Sequence, residues 1–328
     1  GTVVAGLLVI AVVLIPLLGT ATAPGAPGRA LRVAAVQGGG PRGLRAVNVD
    51  PAAVFKAQLA ATERVHLPVD LVVWPENVVN VTGTLDGSTQ DATMSDLARR
   101  LHTTIVSGVV EDVPGAGGGR DTPRFRNAAV AWAPDGTRVA RYDKVHRVPF
   151  GEYVPARSLI SRLANVSAVP RDAIAGNGPG VLSTPAGPLG VMISYEVFFA
   201  DRARAAAQGG GQVLLVPTNA SSYKTGQVPA QELAAARLRA LETGRAVIQA
   251  APTGYSAFVD ADGRVTARRG LGAPAVVEGT IRLRAATMPA TSLGEPAMVF
   301  VAVLALVGAW TFRRPPRRQR RVPPAFVS

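Results

Sequence analysis

Short apolar runs that alternate with helical stretches limit the fold of this chain more than any other feature of its sequence. Such alternation predicts a sheet whose faces are covered by helices, and the hairpin signals at 134–137 and 262–263 make that sheet mixed rather than purely parallel. Only 5% of the residues are aromatic, so the core must be built mainly from aliphatic side chains. We therefore predict an α/β sandwich.

The positions of the elements follow from the spacing of apolar residues and from turn and cap residues at their ends. The predicted strands cover 31–37, 71–73, 104–110, 189–193, 213–216, 247–251 and 256–259, with a hairpin across 127–142. The predicted helices cover 51–66, 91–102, 199–208 and 231–243, the last of them capped by Gly244. The glycine-rich segments 115–119 and 209–211 are predicted to be loops.

Each end of the chain carries an uncharged apolar segment. Residues 2–18 and 296–312 contain no charged side chain, and each is just long enough to cross a hydrocarbon layer about 30 Å thick. We predict one transmembrane helix over 1–20, as the end of a longer membrane region, and a second over 296–312. A secretory signal peptide is the alternative for the first segment, and a buried core helix is the alternative for the second.

A basic tail follows the second apolar segment. Six arginines lie within residues 313–328 of a chain whose formal net charge is +13. Because Lys and Arg concentrate on the cytoplasmic side of membrane helices, we predict a cell-membrane protein with a cytoplasmic tail. Residues 21–30 are then a linker, and 31–288 form a domain outside the cytoplasm. The arginine run is broken by prolines and lacks interleaved aromatic residues, so we expect no nucleic-acid partner.

The sequence contains no cysteine and three histidines. Disulfides, cysteine-containing zinc sites and a thiol nucleophile are therefore excluded. The histidines have no metal-ligand spacing, so we expect neither a metal nor a cofactor.

Three strand ends carry side chains suited to catalysis. Glu76, Lys144 and Ser194 each follow a predicted strand, and open α/β sheets bind ligands beyond the carboxyl ends of their strands. A desolvated carboxylate, an ammonium group and a hydroxyl at a strand-to-helix turn could supply a base, an oxyanion partner and a nucleophile. Taken singly, each also fits an ordinary role: a surface carboxylate, a solvated lysine and a helix-capping serine.

The order of these three residues resembles that of the nitrilase, or carbon-nitrogen hydrolase, superfamily, whose fold is an αββα sandwich. Further motifs resemble the apolipoprotein N-acyltransferases of that superfamily, which carry a nitrilase-like domain between membrane helices. The motifs are Trp74-Pro75-Glu76, Tyr142-Asp143-Lys144 with 148–155, Ser194-Tyr195-Glu196, 217–220 and 237–245. The resemblance covers about residues 31–285 and implies an αββα nitrilase-like sandwich flanked by transmembrane helices.

The same resemblance implies a reaction. An acyl chain passes from a membrane phospholipid, through an acyl-enzyme, to the N-terminal α-amino group of a diacylglyceryl-cysteine apolipoprotein. Carried over by motif, Glu76 is the general base, Lys144 stabilises the oxyanion and Ser194 occupies the position of the nucleophile. The accessory residues are Glu152, Glu196 and, through its backbone N–H, Tyr195.

Ser194 stands where the family has cysteine. A thiol has a pKa of about 8.5 and is intrinsically nucleophilic, whereas a serine hydroxyl needs an effective base during attack. Three explanations stay open: a natural serine enzyme, a laboratory replacement of cysteine, and a natural pseudoenzyme. The absence of any other cysteine favours the first, and the intact Glu76 and Lys144 argue against the last.

Two other functions fit the sequence. One is an extracytoplasmic amidohydrolase, in which water takes the acyl group. The other is a noncatalytic scaffold for a polyprenol-phosphate mannose synthase, as in some actinobacterial relatives, a source that the Ala-, Arg- and Gly-rich composition fits. Trp132, Phe150, Phe198 and Phe199 are candidates for a lipid entry, although ordinary core positions would explain them at least as well.

Overall fold

The computed structural model describes residues 28–44, 48–113, 124–285 and 288–311. The predicted first transmembrane helix, most of the predicted linker, the basic tail and the predicted loop at 115–119 lie outside these ranges. The chain divides into two units, and one of them, Pro24–Ser292, carries both sheets and the helices that cover them.

The described residues form two β-sheets. The first sheet contains β1 (Ala30–Gln37), β2 (Leu71–Val73), β3 (Val79–Val81), β4 (Thr104–Asp112), β5 (Arg124–Trp132), β6 (Arg138–Asp143), β7 (Asp172–Ala173) and β14 (Ala275–Arg282). The second contains β8 (Val181–Thr184), β9 (Gly187–Val191), β10 (Leu214–Pro217), β11 (Val247–Ala250), β12 (Ala257–Val259) and β13 (Val265–Arg268).

Both sheets are mixed, as the hairpin signals predict. In the first sheet, β1, β2 and β4 run parallel, whereas β4–β5 and β5–β6 are antiparallel. Strand β14 returns from the far end of the domain to pair antiparallel with β1, so that Ala30 lies opposite Arg282. In the second sheet, β9, β10 and β11 are parallel and the flanking pairs are antiparallel. The strands are linked in sequence order across this second sheet.

Helices cover the outer face of each sheet. Those over the first sheet are α1 (Pro51–Thr62) and α2 (Thr89–Leu101), and those over the second are α4 (Ala200–Gln208) and α5 (Gln227–Thr243). The other described helices are α3 (Arg157–Ile160) and α6 (Pro289–Thr311). Met94 of α2 packs with Trp74 against the first sheet, and Leu233 of α5 packs against the second. Val33 and Leu215 contribute to a core between the two sheets. The four layers confirm the predicted αββα sandwich.

Several element boundaries differ from the sequence predictions, each for a local reason. Helix α1 ends at Thr62 rather than 66, where the N–H groups of Arg64 and Val65 bond to the carbonyls of Ala61 and Thr62 in tighter turns. Helix α5 begins four residues earlier than predicted, with Pro229 in the first turn, where a missing N–H costs no intrahelical bond. Gly244 caps it in the left-handed conformation, as predicted. Strands β3, β7, β8 and β14 were absent from the predicted set, whereas β13 follows the turn predicted at 262–263.

Helix α6 contains most of the second predicted membrane span. It is interrupted at Gly294, whose φ is 69°. Among the residues that the structure describes, no helix meets both the length and the apolarity needed to cross a bilayer. The spans 1–20 and 296–312 therefore stay predictions.

Candidate active site

A buried lysine lies at the centre of the site. Lys144 directly follows β6, and its Nζ donates hydrogen bonds to Glu76 Oε1 at 2.9 Å and to Glu152 Oε1 at 2.8 Å. Asn127 of β5 donates to the same two carboxylate oxygens, at 2.7 and 2.9 Å. We call these four residues the ammonium cluster. It joins two of the predicted catalytic residues, Glu76 and Lys144, with the predicted accessory residue Glu152.

The charged groups of the ammonium cluster shift one another's pKa values. Burial would lower the pKa of Lys144, but the two carboxylates outweigh it and raise that pKa above its usual range. Burial would raise the pKa of Glu152, but Lys144 and the hydrogen bonds from Asn127 and the Val148 N–H hold it below its usual range. For Glu76 burial prevails, so its pKa is raised despite the adjacent ammonium. Lys144 is therefore a permanent buried cation.

The backbone of Glu76 lies close to a glycine of β4. A Cβ atom on Gly108 would lie only 2.5 Å from Glu76 Cα and 2.6 Å from the Pro75 carbonyl oxygen. The Gly108 N–H donates to that same carbonyl at 3.0 Å. A side chain at position 108 would displace the segment that carries the carboxylate, so glycine here fixes where Glu76 lies.

Ser194 occupies the predicted strand-to-helix turn. It follows β9 and opens a 3-10 turn, Ser194–Phe198, with a φ of 48°. The left-handed region is unfavourable for a residue with a Cβ, and such strain is common at functional sites. The side chain is buried, with 8% of the residue exposed. The N-cap of this turn is Ile193, so Ser194 is not the helix-capping serine of the ordinary interpretation.

Ser194 contacts two residues that the sequence predictions missed. Its Oγ donates to Glu232 Oε1 at 3.3 Å and lies 3.2 Å from Thr218 Oγ1. Thr218 donates to the same Glu232 oxygen at 2.6 Å. We call Ser194, Thr218 and Glu232 the serine cluster. Thr218 lies in the quoted motif 217–220, but Glu232 lies within α5, away from any strand end.

Few polar contacts offset the burial of the Glu232 carboxyl group. Burial raises its pKa to about 7, with Glu76 adding to the rise, while hydrogen bonds from Thr218 and Ser194 and the charge of Lys144 oppose it. In the described part of the chain its Oε2 is buried without a hydrogen-bond partner. Since Glu76 and Lys144 both act on Glu232, the two clusters lie within electrostatic reach of each other.

Glu196 hydrogen-bonds to several segments around the site. Its Oε1 accepts hydrogen bonds from the Tyr142 hydroxyl and from the N–H groups of Val145 and His146, while Oε2 accepts from the Ile193 N–H. Glu196 therefore ties the segment after Lys144 to the residue before Ser194. The contacts of Glu196 are those of a residue that positions its neighbours. The ring of Tyr195 packs edge-to-face against Phe198 and Phe199.

The four aromatic candidates for a lipid entry separate into different environments. Trp132 is fully buried in the outer core of the first sheet and donates its indole N–H to Asp91 at 2.9 Å, so the lipid-entry interpretation was wrong for it. Phe150 is 61% exposed and Phe198 is 42% exposed. Phe199 is partly buried and stacks on His146, with ring centroids 4.3 Å apart.

The chain resembles curated proteins named apolipoprotein N-acyltransferase. It is 32% identical over 287 residues to that of Mycolicibacterium smegmatis, covering 85% of this chain and 47% of the relative. It is 33% identical over 295 residues to that of Allorhizobium ampelinum, covering 87% of this chain and 54% of the relative. This chain thus spans about half the length of these relatives. The similarity confirms the resemblance drawn from the motifs and gives no support to a mannose synthase partner.

Solved structures show the same fold. A nitrilase-superfamily protein of Saccharomyces cerevisiae superposes with a TM-score of 0.58 at 20% identity, covering 90% of this chain and 98% of the other. An amidase from a Nesterenkonia species gives a TM-score of 0.55 at 20% identity, covering 82% and 95%. The family model described as carbon-nitrogen hydrolase matches residues 32–287. With that match, the four-layer fold and the buried Glu76–Lys144 pair, this chain belongs to the carbon-nitrogen hydrolase family.

Proposed function

We propose that this protein is an acyltransferase of the apolipoprotein N-acyltransferase type, with Ser194 as its nucleophile. One observation carries the proposal: a strained, buried serine at a strand-to-helix turn hydrogen-bonds to Glu232, on whose pKa the buried ammonium of Lys144 and its partner Glu76 both act. The similarity to proteins of that name supports the choice of reaction class.

The reaction proceeds in two steps through an ester on Ser194. In acylation, Ser194 Oγ attacks the acyl carbonyl of a membrane phospholipid, and the lysophospholipid leaves with a proton. In transfer, the α-amino group of a diacylglyceryl-cysteine apolipoprotein attacks that ester, which releases Ser194 and forms an amide. Both steps pass through a tetrahedral oxyanion, which Lys144 stabilises by charge and the Tyr195 N–H by hydrogen bonding. Glu76 is a general base of the cycle, and Glu152 orients Lys144.

Exposed apolar side chains close in sequence to Glu152 and Ser194 support a lipid donor. Phe150 lies two residues before Glu152, and Phe198 ends the 3-10 turn that Ser194 begins. Leu159 and Leu163, in and just after α3, are 57% and 80% exposed. In this proposal they support an extracytoplasmic site that takes its acyl donor from the membrane, with membrane spans over 1–20 and 296–312 and the tail 313–328 in the cytoplasm.

An amidohydrolase is the second candidate. The structural likeness to the Nesterenkonia amidase favours it, since the same fold accommodates amide hydrolysis there. The two functions differ in what accepts the acyl group, water or an amine.

Intact-mass analysis tests the proposal. Purified full-length chain incubated with a phosphatidylethanolamine of defined acyl chains should gain the mass of one acyl group, and peptide mapping should place it on Ser194. Addition of a synthetic diacylglyceryl-cysteine peptide should then remove the adduct and yield an N-acyl amide. Release of free fatty acid alone would support the amidohydrolase. A Ser194→Ala variant that still acquires the adduct would exclude Ser194 as the nucleophile.

A further inference from the structure

The hydrogen bonds of Ser194 lead to a carboxylate other than Glu76. Ser194 Oγ donates to Glu232, whereas Glu76 Oε1 accepts from Lys144 and Asn127. We infer that Glu232 is a catalytic residue that takes the Ser194 proton during acylation, with Thr218 as its positioning residue. This inference rests on the proposed function and deepens it, and it leaves Glu76 to serve the acceptor amine in the second step.

The two carboxylates differ in what proton uptake would cost them. Protonation of Glu76 would weaken its 2.9 Å contact with a fully buried ammonium. Protonation of Glu232 breaks no ion pair among the contacts described, and it neutralises a carboxylate that burial already destabilises. Its Oε1 already accepts the hydrogen bond from Ser194 Oγ, so the proton can pass along that bond. Glu232 is thus the better proton acceptor.

A serine nucleophile needs a general base more than a cysteine nucleophile does. A thiol ionises near neutral pH and can attack with weak help, whereas an alcohol must lose its proton as it attacks. Burial raises the pKa of Glu232 to about 7, close to where a general base works best at neutral pH. Thr218 Oγ1 donates a 2.6 Å hydrogen bond to Glu232 Oε1, the oxygen that also accepts from Ser194 Oγ and receives its proton in this inference.

The proton balance closes over one cycle. The Oγ–C bond forms as the Oγ proton passes to Glu232, and the negative charge moves to the carbonyl oxygen. Collapse of the oxyanion breaks the bond to the lysophospholipid alkoxide, which takes that proton from Glu232. In the second step the amine loses its proton to Glu76, and that proton ends on the departing Ser194 Oγ. The charged groups that act on Glu232 from neighbouring elements are Glu76 and Lys144.

Acylation with an activated ester tests Glu232 independently of the natural donor. The burst of p-nitrophenol from p-nitrophenyl butyrate reports formation of the acyl-enzyme in the full chain, and the phospholipid adduct is measured in parallel by mass. The variants are Glu232→Gln, Ser194→Cys and the double variant. Glu63→Gln is the matched control, because it removes an exposed carboxylate whose partner is Arg100 on the protein surface.

Glu232→Gln should slow the burst about 10²- to 10⁴-fold, the range of general-base catalysis, and Glu63→Gln should leave it unchanged. In the Ser194→Cys background the same change should cost less than about 10-fold, because the thiolate needs less help. A wild-type burst rate in Glu232→Gln would overturn the inference. An equal loss in both backgrounds would also overturn it, since it would assign Glu232 a structural role. Thermal unfolding confirms that each variant is folded.

The two proposals fail in distinguishable ways. A wild-type chain that gives the burst but no phospholipid adduct refutes the proposed donor, while the variants still decide the role of Glu232. A wild-type chain that gives neither refutes both, because Ser194 is then not a nucleophile. If Glu232→Gln does not fold, Thr218→Val decides instead. Loss of its hydrogen bond to Glu232 should move the pH midpoint of acylation upward from about 7, and an unmoved midpoint would contradict the inference.

Discussion

The two clusters of the site handle burial in opposite ways. In the ammonium cluster, one cation lies between two carboxylates, and an amide donates to both of them. In the serine cluster, a carboxyl group has only two hydroxyls for partners, and one of its oxygens has no hydrogen bond among the described residues. The first cluster holds Lys144 and Glu152 in their charged forms, whereas the second holds a carboxyl group that gains or loses its proton near neutral pH.

The two clusters, and therefore their two roles, belong to different sheets. Glu76, Asn127 and Lys144 lie on or just after strands of the first sheet, while Ser194 and Thr218 lie on or just after strands of the second. A fixed charge stabilises an oxyanion without rearrangement, and a titrating carboxyl group moves a proton. The predictions below test whether each cluster behaves as this comparison requires.

Replacement of Lys144 should have the largest effect. Lys144→Met leaves Glu76 and Glu152 buried without a cation, so the free energy of unfolding should fall by about 3–5 kcal/mol at pH 8. Urea unfolding followed by circular dichroism measures the loss. The double variant Lys144→Met/Glu76→Gln, with one uncompensated carboxylate fewer, should recover part of it. A loss below about 1 kcal/mol would show that the ammonium cluster is not held by charge.

Replacement of Glu232 should stabilise the protein at high pH. The pKa of the folded state, about 7, lies above the ordinary value of 4.5. The favourable contribution of the protonated form is therefore full below about 4.5 and is lost as pH rises through 7. Glu232→Gln removes this dependence and should gain up to about 3 kcal/mol over the wild type between pH 5 and 8.5. Unfolding curves across that range measure it, and a constant difference would contradict the raised pKa.

Glu196 links the clusters, and its replacement should cost about 2 kcal/mol. Glu196→Gln keeps one acceptor oxygen but turns an N–H toward the Ile193 N–H, leaving that buried donor unsatisfied. Thermal unfolding measures the loss, and the p-nitrophenyl butyrate burst should slow in parallel because both Lys144 and Ser194 shift. If stability falls while the burst is unchanged, Glu196 does not position the site.

Relief of backbone strain at Ser194 should have the smallest effect. Ser194→Gly removes the cost of about 1–2 kcal/mol for a left-handed residue with a Cβ but adds the chain entropy of glycine, so the net gain should be below about 1 kcal/mol. Ser183→Gly in the extended strand β8 is the control and should destabilise. A loss of stability in Ser194→Gly would mean that the hydroxyl contacts outweigh the strain.

Sequence patterns locate the ammonium cluster better than the serine cluster. Glu76, Lys144 and Ser194 each end a strand, so the general geometry of α/β sheets singles them out, and the motif at 148–155 adds Glu152. Asn127 was missed because it lies inside a strand with no turn or cap to mark it. Apolar periodicity predicts an α/β sandwich, and the family resemblance implies its four layers, but the pairing of distant strands such as β1 and β14 has no local signal.

Glu232 was missed for a different reason. A helix rich in Ala, Leu and Arg is easily assigned, and its carboxylates are then taken for solvated ones. The available signal is its spacing: Glu232, Ala236 and Ala240 recur every four residues and are all buried, so the carboxylate lies on the core-facing stripe. Which group it meets there depends on how α5 packs against the 3-10 turn, and that is a tertiary property.

The antiparallel pairing of β14 with β1 also affects how the chain folds during translation. The second sheet joins its strands in the order in which the ribosome delivers them, whereas β1 waits for residues 275–282 before its second edge is paired. Until then β1 presents a buried-type strand with open backbone groups to other nascent chains. Truncation before residue 275 would make that exposure permanent, and such fragments should aggregate even though both clusters of the site are fully encoded.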